Sequence, residues 1–190
     1  ISAIVGASGS GKTTLVKLLL GYFAPTSGNI FLGDTPLQDY DMTSWRHSCG
    51  VVLQDSHVFS ESLARNIAVE DKHIDRTRLR TAARQANLEE FIEKLPLKYQ
   101  TMVGAEGVGL SRGQEQRIFI ARALYKDPSF VFLDEATNSL DANNERIITG
   151  NLLDFCKGRT VLIVAHRLST IRHADKIVVL HKGRIVEEGT

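Results

Sequence analysis

The sequence predicts an α/β fold in which helices pack on a mostly parallel sheet, with a helical part inserted into it. Segments typical of strands and of helices alternate around a glycine-rich loop at residues 6–13. The run at 160–165 is almost wholly apolar, which is typical of a parallel strand buried on both faces. Between residues 60 and 126 few strand signals occur, so that stretch predicts mainly helices.

The glycine-rich loop follows a short apolar strand at residues 1–5 and begins a helix. It fits the pattern G-x-x-x-x-G-K-[ST], in which glycines let backbone N–H groups face phosphate oxygens and the helix adds the positive end of its dipole. Lys12 is expected to reach the β- and γ-phosphates, and the Thr13 hydroxyl to ligate Mg²⁺. A surface turn that happens to contain a lysine is the alternative. The predicted phosphate-binding residues are Gly6, Ser8, Gly9, Ser10, Gly11, Lys12, Thr13 and Thr14.

Composition and charge limit the function classes. The 190 residues are 43% apolar and 24% charged, and the net charge of +1 gives no electrostatic case for nucleic acid. Cys49 and Cys156 lie far apart without metal-ligand spacing, which favours a reducing, cytosolic setting. No apolar run approaches the ~20 residues that span a bilayer. Because the chain opens at Ile1 inside a predicted strand and stops just after another, we expect a fragment truncated at both ends.

The elements before residue 60 alternate between helix and strand. The sequence predicts, in order, a helix over 13–22, a turn at 25–28, a strand over 29–32, a short helix through Trp45 capped by Asp41 or Thr43, and a strand over 50–53 that runs into Gln54.

The helical stretch and the elements after it follow the same rules. Helices are predicted over 62–68, 75–86 with Asp75 as its cap, 88–95, 112–125, 143–155 and 169–173. Strands are predicted over 130–133 and 160–165, and over 176–180 and 184–188 as a hairpin.

Two short stretches carry further chemistry. Asp134 and Glu135 directly follow the apolar strand 130–133, so Asp134 is expected at the strand's carboxyl end, where it can hold Mg²⁺ opposite Thr13. Glu135 is then placed to orient or deprotonate a water, unless the two are plain surface acids. Ser111 begins the helix of 112–125, either as an ordinary cap or as part of an anion site.

The order of these motifs resembles the complete series of an ATP-binding cassette (ABC) ATPase. The series is Gly6–Thr13, Gln54, Leu110–Gln114, Asp134-Glu135, Ser139–Asp141 and His166. The resemblance implies a P-loop NTPase (RecA-like) core made of residues 1–59 and 127–190, with a helical signature subdomain at 60–126. It also implies ATP and Mg²⁺ as cofactors.

The resemblance further implies that two such domains pair head to tail and sandwich ATP. Ser111, Gly113 and Gln114 of one copy would meet the nucleotide on the phosphate loop of the other, and Asp141 would lie across the interface. The implied catalytic residues are Glu135, His166 and Gln54, and the implied magnesium ligands are Thr13, Gln54 and Asp134.

Three departures from the family pattern stand out. Arg112 replaces the first glycine of the family's Leu-Ser-Gly-Gly-Gln signature, and its backbone N–H remains. Ala105, followed by Glu106, stands where exporters often carry a glutamate that contacts the membrane domains. The aromatic residue that stacks on adenine would lie before Ile1.

The stretches 53–60, 63–67 and 165–171 are similar to those of exporter-type domains. They imply the motor of a transporter on the cytoplasmic face of a membrane, pairing with a second copy, without nucleic acid, and receiving a coupling helix near residues 55–70. Two alternatives are a soluble ABC ATPase that acts on nucleic acid or ribosomes, and a nucleotide-binding module without turnover. A plain core role for Val58, Phe59 and Leu63 is the other interpretation of the first stretch.

Overall fold

The computed structural model describes residues 1–165 and 171–190. The strands are β1 (Ser2–Val5), β2 (Phe31–Leu32), β3 (Thr35–Pro36), β4 (Cys49–Val52), β5 (Phe130–Asp134), β6 (Thr160–Val164), β7 (Lys176–His181) and β8 (Arg184–Gly189). The α-helices are α1 (Lys12–Leu19), α2 (Met42–His47), α3 (Leu63–Ile67), α4 (Arg76–Gln85), α5 (Glu89–Glu93), α6 (Arg112–Lys126) and α7 (Ala142–Cys156). Single 3-10 turns occupy Leu37–Asp39 and Lys98–Gln100.

Six of the strands form one mostly parallel sheet in the order β4-β5-β6-β1-β7-β8, which confirms the predicted fold class. Strand β1 pairs in parallel with β6 and β7, and β5 pairs in parallel with β6. Both Ile4 and Asp134 stand opposite Val164, so the carboxyl ends of β1 and β5 reach the same edge of the sheet. Strand β8 runs antiparallel to β7, as its partner in the predicted hairpin.

The chain divides into two compact units. The first comprises Ile1–Gly50, Pro128–Glu135 and Arg159–Thr190, and the second comprises Val51–Asp127 and Ala136–Gly158. The second unit thus holds α7 as well as the helices of the predicted insertion. The sequence-based boundaries of core and subdomain stay a prediction.

In the first unit, α1 is shorter at its end than predicted. Gly21, with φ of +66°, follows the end of this helix. Side chains of α2 cap the carbonyls left open there: Trp45 Nε1 donates to Leu19 O at 2.9 Å, and Arg46 Nη2 donates to Gly21 O at 2.9 Å. Of the two candidate caps for α2, the Asp41 carboxylate accepts from Ser44 N.

The predicted strand at 29–32 is reduced to β2, which pairs only with β3 in a two-stranded hairpin. The carbonyl of Ile30 instead accepts from the N–H of Leu37, at the start of the first 3-10 turn, at 2.7 Å. Residues 29 and 30 therefore lack the neighbouring strand that would have extended the ladder.

In the second unit, α6 supplies much of the core. Ile118, Ile120 and Ala121 are fully buried in it. Helix α4 packs against α6, and the buried residues of α4 are Leu79, Ala82 and Ala83. The Asp75 carboxylate caps α4 by accepting from the N–H groups of Thr77 and Arg78. Among the helices of residues 1–165 and 171–190, none has the length and apolarity required to cross a membrane.

Ile118→Ala is expected to lower the free energy of unfolding by about 2–5 kcal/mol, because it removes a fully buried side chain from the centre of α6. Ile185→Ala, at a residue that is 57% exposed, is the control and should cost less than about 0.5 kcal/mol. Urea denaturation followed by far-ultraviolet circular dichroism measures both. Equal losses in the two variants would contradict the assignment of α6 to the core.

Candidate functional site

Residues 6–11 join β1 to α1 and fold around the side chain of Lys12. This side chain is buried, with 6% exposed, and its Nζ donates to Gly6 O and Ala7 O at 2.9 Å each. The loop also closes on itself, since Ser10 N donates to Ala7 O at 3.1 Å. The loop therefore holds a fixed positive charge at the carboxyl edge of the sheet.

Two glycines of the loop are required by its path. A Cβ on Gly6 would lie 2.1 Å from the carbonyl oxygen of Leu180 on β7, so no larger residue fits without moving the loop. Gly11 adopts a left-handed φ of +99° directly before α1. It offers no side chain to cap the helix, whereas side chains cap α2, α3, α4, α6 and α7. The first N–H groups of α1 are therefore left to an external acceptor.

A buried hydroxyl in the same loop also lacks a partner. Ser10 is 4% exposed, and its Oγ has no hydrogen bond within the described part of the chain. A polar atom buried without a partner costs stability, so such atoms concentrate at sites that a ligand completes. Together with Lys12 and the open turn of α1, this donor fits the phosphate groups of a nucleotide.

A second pair of groups meets at the same edge. Thr13 Oγ1 donates to Asp134 Oδ2 at 2.7 Å, and Asp134 is 2% exposed at the end of β5. A hydroxyl and a carboxylate are the oxygen ligands that Mg²⁺ prefers, and the ion usually completes its shell with water and phosphate. Across residues 1–165 and 171–190, no cluster of three or more His, Cys, Asp or Glu side chains that could hold a metal ion exists.

Glu135 departs from strand geometry immediately after Asp134. Its φ is +54°, and its N–H still donates to Val164 O at 3.1 Å. A non-glycine residue in the left-handed region costs of order 1–3 kcal/mol and persists where the surroundings enforce it. The strain is therefore stored at the carboxyl end of β5, beside the buried carboxylate.

At the start of α6, Ser111 forms a cap within the chain, which is one of its two predicted roles. Ser111 Oγ accepts from Gln114 N at 3.3 Å, while Gln114 Oε1 accepts from Ser111 N at 2.8 Å, which together form a capping box. Ser111 and Arg112 are both exposed. A capped and exposed Ser111 still presents its hydroxyl at a helix N-terminus, so the cap does not exclude contact with an anion.

The turn at residues 110–114, which resembles the family signature, lies against the loop of residues 139–141. Gln116 Oε1 accepts from Ser139 N at 2.7 Å, and a Cβ on Gly113 would come within 3.2 Å of Ser139 O. The second glycine of the signature is therefore small for a local reason. This role of Gln116 leaves no local signal in the sequence, because the hydrogen bond spans 23 residues.

Asp141 caps α7 and is linked to the signature by Arg117. The Asp141 carboxylate accepts from the side chain and N–H of Asn144 and from the N–H of Asn143, and these bonds lower the pKa of Asp141. Arg117 Nε donates to Gly113 O at 3.3 Å, and burial lowers the pKa of Arg117 while the charge of Asp141 opposes the shift.

The remaining predicted residues are placed as follows. Gly9 has a left-handed φ of +75°, and Ser8 and Thr14 are exposed on the loop and α1. Gln54 is exposed in the turn after β4, in the second unit. His166 lies outside the described residues.

A phosphate-type loop around a buried lysine, with a hydroxyl–carboxylate pair at the same edge of a parallel sheet, defines a nucleotide-binding α/β protein. The family model described as ABC transporter matches residues 1–138, and the chain belongs to this family.

Two similar curated proteins are named for lipid flipping and for toxin translocation. The chain is 47% identical over 188 residues to an ATP-dependent lipid A-core flippase of Chromohalobacter salexigens, covering 99% of this chain and 32% of that protein. It is 46% identical over 189 residues to the toxin RTX-I translocation ATP-binding protein of Actinobacillus pleuropneumoniae, covering 100% of this chain and 27% of that protein. The chain thus spans about a third of the length of these curated relatives.

Among solved structures, a bacterial Atm1-family ABC exporter with ATP bound is similar to this chain. The TM-score is 0.93 at 40% sequence identity, and the match covers 100% of this chain and 33% of that chain.

Gly6→Ala is expected to weaken binding of a fluorescent ATP analogue roughly tenfold or more, because the added methyl group meets Leu180 O and displaces the loop that holds Lys12. Gly28→Ala is the matched control, since Gly28 also has a left-handed φ, of +75°, but open space around it outside the loop. Fluorescence titration of both variants measures the effect. A Gly6→Ala protein that binds like the Gly28→Ala protein would contradict the role of the loop.

Proposed function

We propose that this chain is the ATP-binding and ATP-hydrolysing domain of an ABC exporter. The observation that carries the proposal is the buried Lys12 ammonium, held by the loop beside the unpartnered Ser10 hydroxyl and the open first turn of α1. This set of donors matches a polyphosphate in charge and geometry. Membership of the ABC transporter family and the names of the relatives support ATP as the nucleotide and export as the work.

The proposal gives the predicted site residues of the first unit defined tasks. Lys12 would bind the β- and γ-phosphates, and Thr13 and Asp134 would hold Mg²⁺. Gln54, in the second unit, is assigned to Mg²⁺ by the family resemblance alone. Mg²⁺ supplies charge neutralisation between the phosphate groups. Glu135 accepts a proton from the attacking water, and its strained backbone fixes its position beside Asp134. His166 is assigned to the γ-phosphate by the family resemblance.

The second unit supplies the other half of a shared site. Ser111 and Asp141 are both exposed, and the Gln116–Ser139 hydrogen bond joins the segments that carry them. A second copy of the chain therefore meets both residues together, with Ser111, Gly113 and Gln114 facing its nucleotide. Arg112 keeps the backbone N–H of the signature glycine it replaces, and its exposed side chain leaves the turn intact.

The partners follow from the exporter assignment. The domain acts in a homodimer on the cytoplasmic face of a membrane, and membrane domains contact it near residues 55–70. Phe59, at the centre of that stretch, leaves 39% of its surface exposed, which suits an apolar contact. The transport names of the relatives support an exporter over an ATPase that acts on nucleic acid or ribosomes.

Glu135→Gln in the full-length protein is expected to reduce ATP turnover by about 10²–10⁴-fold, since the amide cannot accept the proton of water. ATP binding should persist, and ATP-bound dimers should accumulate. Steady-state phosphate release and size-exclusion chromatography with ATP measure the two effects. Glu187→Gln, on the exposed strand β8, is the control and should hydrolyse ATP normally. Robust ATP turnover by the Glu135→Gln protein would contradict the assignment of Glu135 as the catalytic base.

Full-length chains carrying Lys12→Ala and Ser111→Arg are expected to be inactive separately and to regain ATP turnover when mixed. In a mixed dimer, the intact Lys12 of one chain meets the intact Ser111 of the other, which leaves one complete site. Asp75→Ala removes another helix cap in the second unit and serves as the control for loss of a cap. Mixed dimers that stay inactive would contradict a site shared between chains.

A further inference from the structure

Arg122 is a cation in the second unit that has no anion beside it. It lies on α6, and burial lowers its pKa to about 10. Among residues 1–165 and 171–190, no carboxylate forms an ion pair with it or raises its pKa. Burying a guanidinium lowers stability unless its N–H groups donate hydrogen bonds. The acceptors of Arg122 therefore indicate its structural role.

The donors of Arg122 go to a segment far away in the sequence. Its Nε donates to Asn66 O at 2.8 Å, and its Nη2 donates to His57 O and Asn66 Oδ1 at 3.4 Å each. The guanidinium also lies over the ring of Phe59, 5.1 Å from the centroid, and near the ring of Phe119 at 5.5 Å. The planar guanidinium presents donors on several nitrogens in a fixed fork and can stack on a ring with the same face, whereas a lysine ammonium is a compact point charge on a flexible stem.

The side chain of Asn66 makes further hydrogen bonds to the same segment, residues 57–61. It is fully buried, and its Oδ1 accepts from the N–H of Phe59 at 2.8 Å. Its Nδ2 lies within hydrogen-bond distance of three carbonyls, those of Phe59, Glu61 and Ser62, at 3.0–3.3 Å. The exporter-like stretch 63–67 thus contains one residue whose whole side chain serves the preceding loop.

The other side of this loop is fixed by backbone contacts. Val103 N donates to Glu61 O at 3.0 Å, and Leu63 N donates to Thr101 O at 3.0 Å. A Cβ on Gly104 would lie 3.0 Å from Phe59 O, so this neighbour must be small. Residues 57–61 are therefore held between α6 and the segment that leads to Ala105 and Glu106.

We propose that Arg122 and Asn66 are positioning residues that fasten residues 57–61 to the signature helix α6. The segment 57–61 then follows α6 as one body, so a movement at Ser111 reaches the surface assigned to the membrane domains. This inference rests on the proposed function for the meaning of that surface. The fastening itself is a property of the second unit and can be measured without ATP turnover.

The test compares Arg122→Met and Arg122→Lys with Arg78→Met in the full-length protein. Arg78 is a matched control, because its guanidinium lies over a ring of the same unit, that of Tyr125, at 4.7 Å and it makes no contact with residues 57–61. The readouts are amide hydrogen exchange without nucleotide, and kcat and KM for ATP.

Arg122→Met is expected to speed amide exchange at residues 57–61 by about tenfold or more, while α4 and α5 keep their protection. Arg122→Lys should show a smaller increase at the same residues, since a lysine keeps the charge but lacks the separate Nε and Nη2 donors of the guanidinium. Arg122→Lys also retains the positive charge, so it can be tested even if Arg122→Met does not fold. We expect kcat to fall in both variants and the KM for ATP to stay within about twofold, because the phosphate loop belongs to the other unit.

Unchanged exchange at residues 57–61, or an equal increase throughout α3 to α6, would overturn the positioning role. A rise in KM with unchanged kcat would overturn its link to the signature helix. A wild-type protein without ATP turnover would overturn the proposed function, yet the exchange pattern would still decide whether Arg122 fastens the segment.

Discussion

The hydrogen bond from Thr13 to Asp134 is the contact on which the rest of the candidate site depends. It joins residues 121 positions apart, and it exists because β1 and β5 run parallel on either side of β6. That arrangement delivers the loop after β1 and the carboxylate after β5 to one edge of the sheet. If β5 were shifted by one residue, the buried carboxylate would turn to the other face, and the pair could not form.

Three features of the first unit that lower stability lie at this edge of the sheet. The Ser10 hydroxyl is buried without a partner, the N-terminus of α1 has no side-chain cap, and Glu135 has a left-handed backbone. Each of these lowers stability, whereas helices such as α2 and α4 are capped by Asp41 and Asp75. Departures from local rules that concentrate at one place mark a site selected for binding rather than for stability.

Local patterns predicted much of this architecture, because caps, turns and apolar strands act over a few residues. The parallel sheet, the cap at Asp75 and the hairpin of β7 and β8 were all predicted on that basis. The environment of Arg122 was not predictable, since a charged residue on a helix is ordinarily exposed and residues 57–66 cover this one. The capping box at Ser111 was foreseen only as one of two alternatives, because its sequence fits both a cap and an anion site.

Helix α6 contacts two different segments of the second unit, one near its N-terminus and one in its second half. Its first residues hold the loop of 139–141 through Gln116, and Arg122 holds residues 57–61. Ser111 and Arg122 are eleven positions apart, which corresponds to about 16 Å along a helix. Residues 112–117 of the helix are exposed or half-buried, and residues 118–121 are buried in the core, where close packing resists bending. In the proposed dimer, a nucleotide that draws Ser111 toward a second chain would act on the segment around Phe59 through α6.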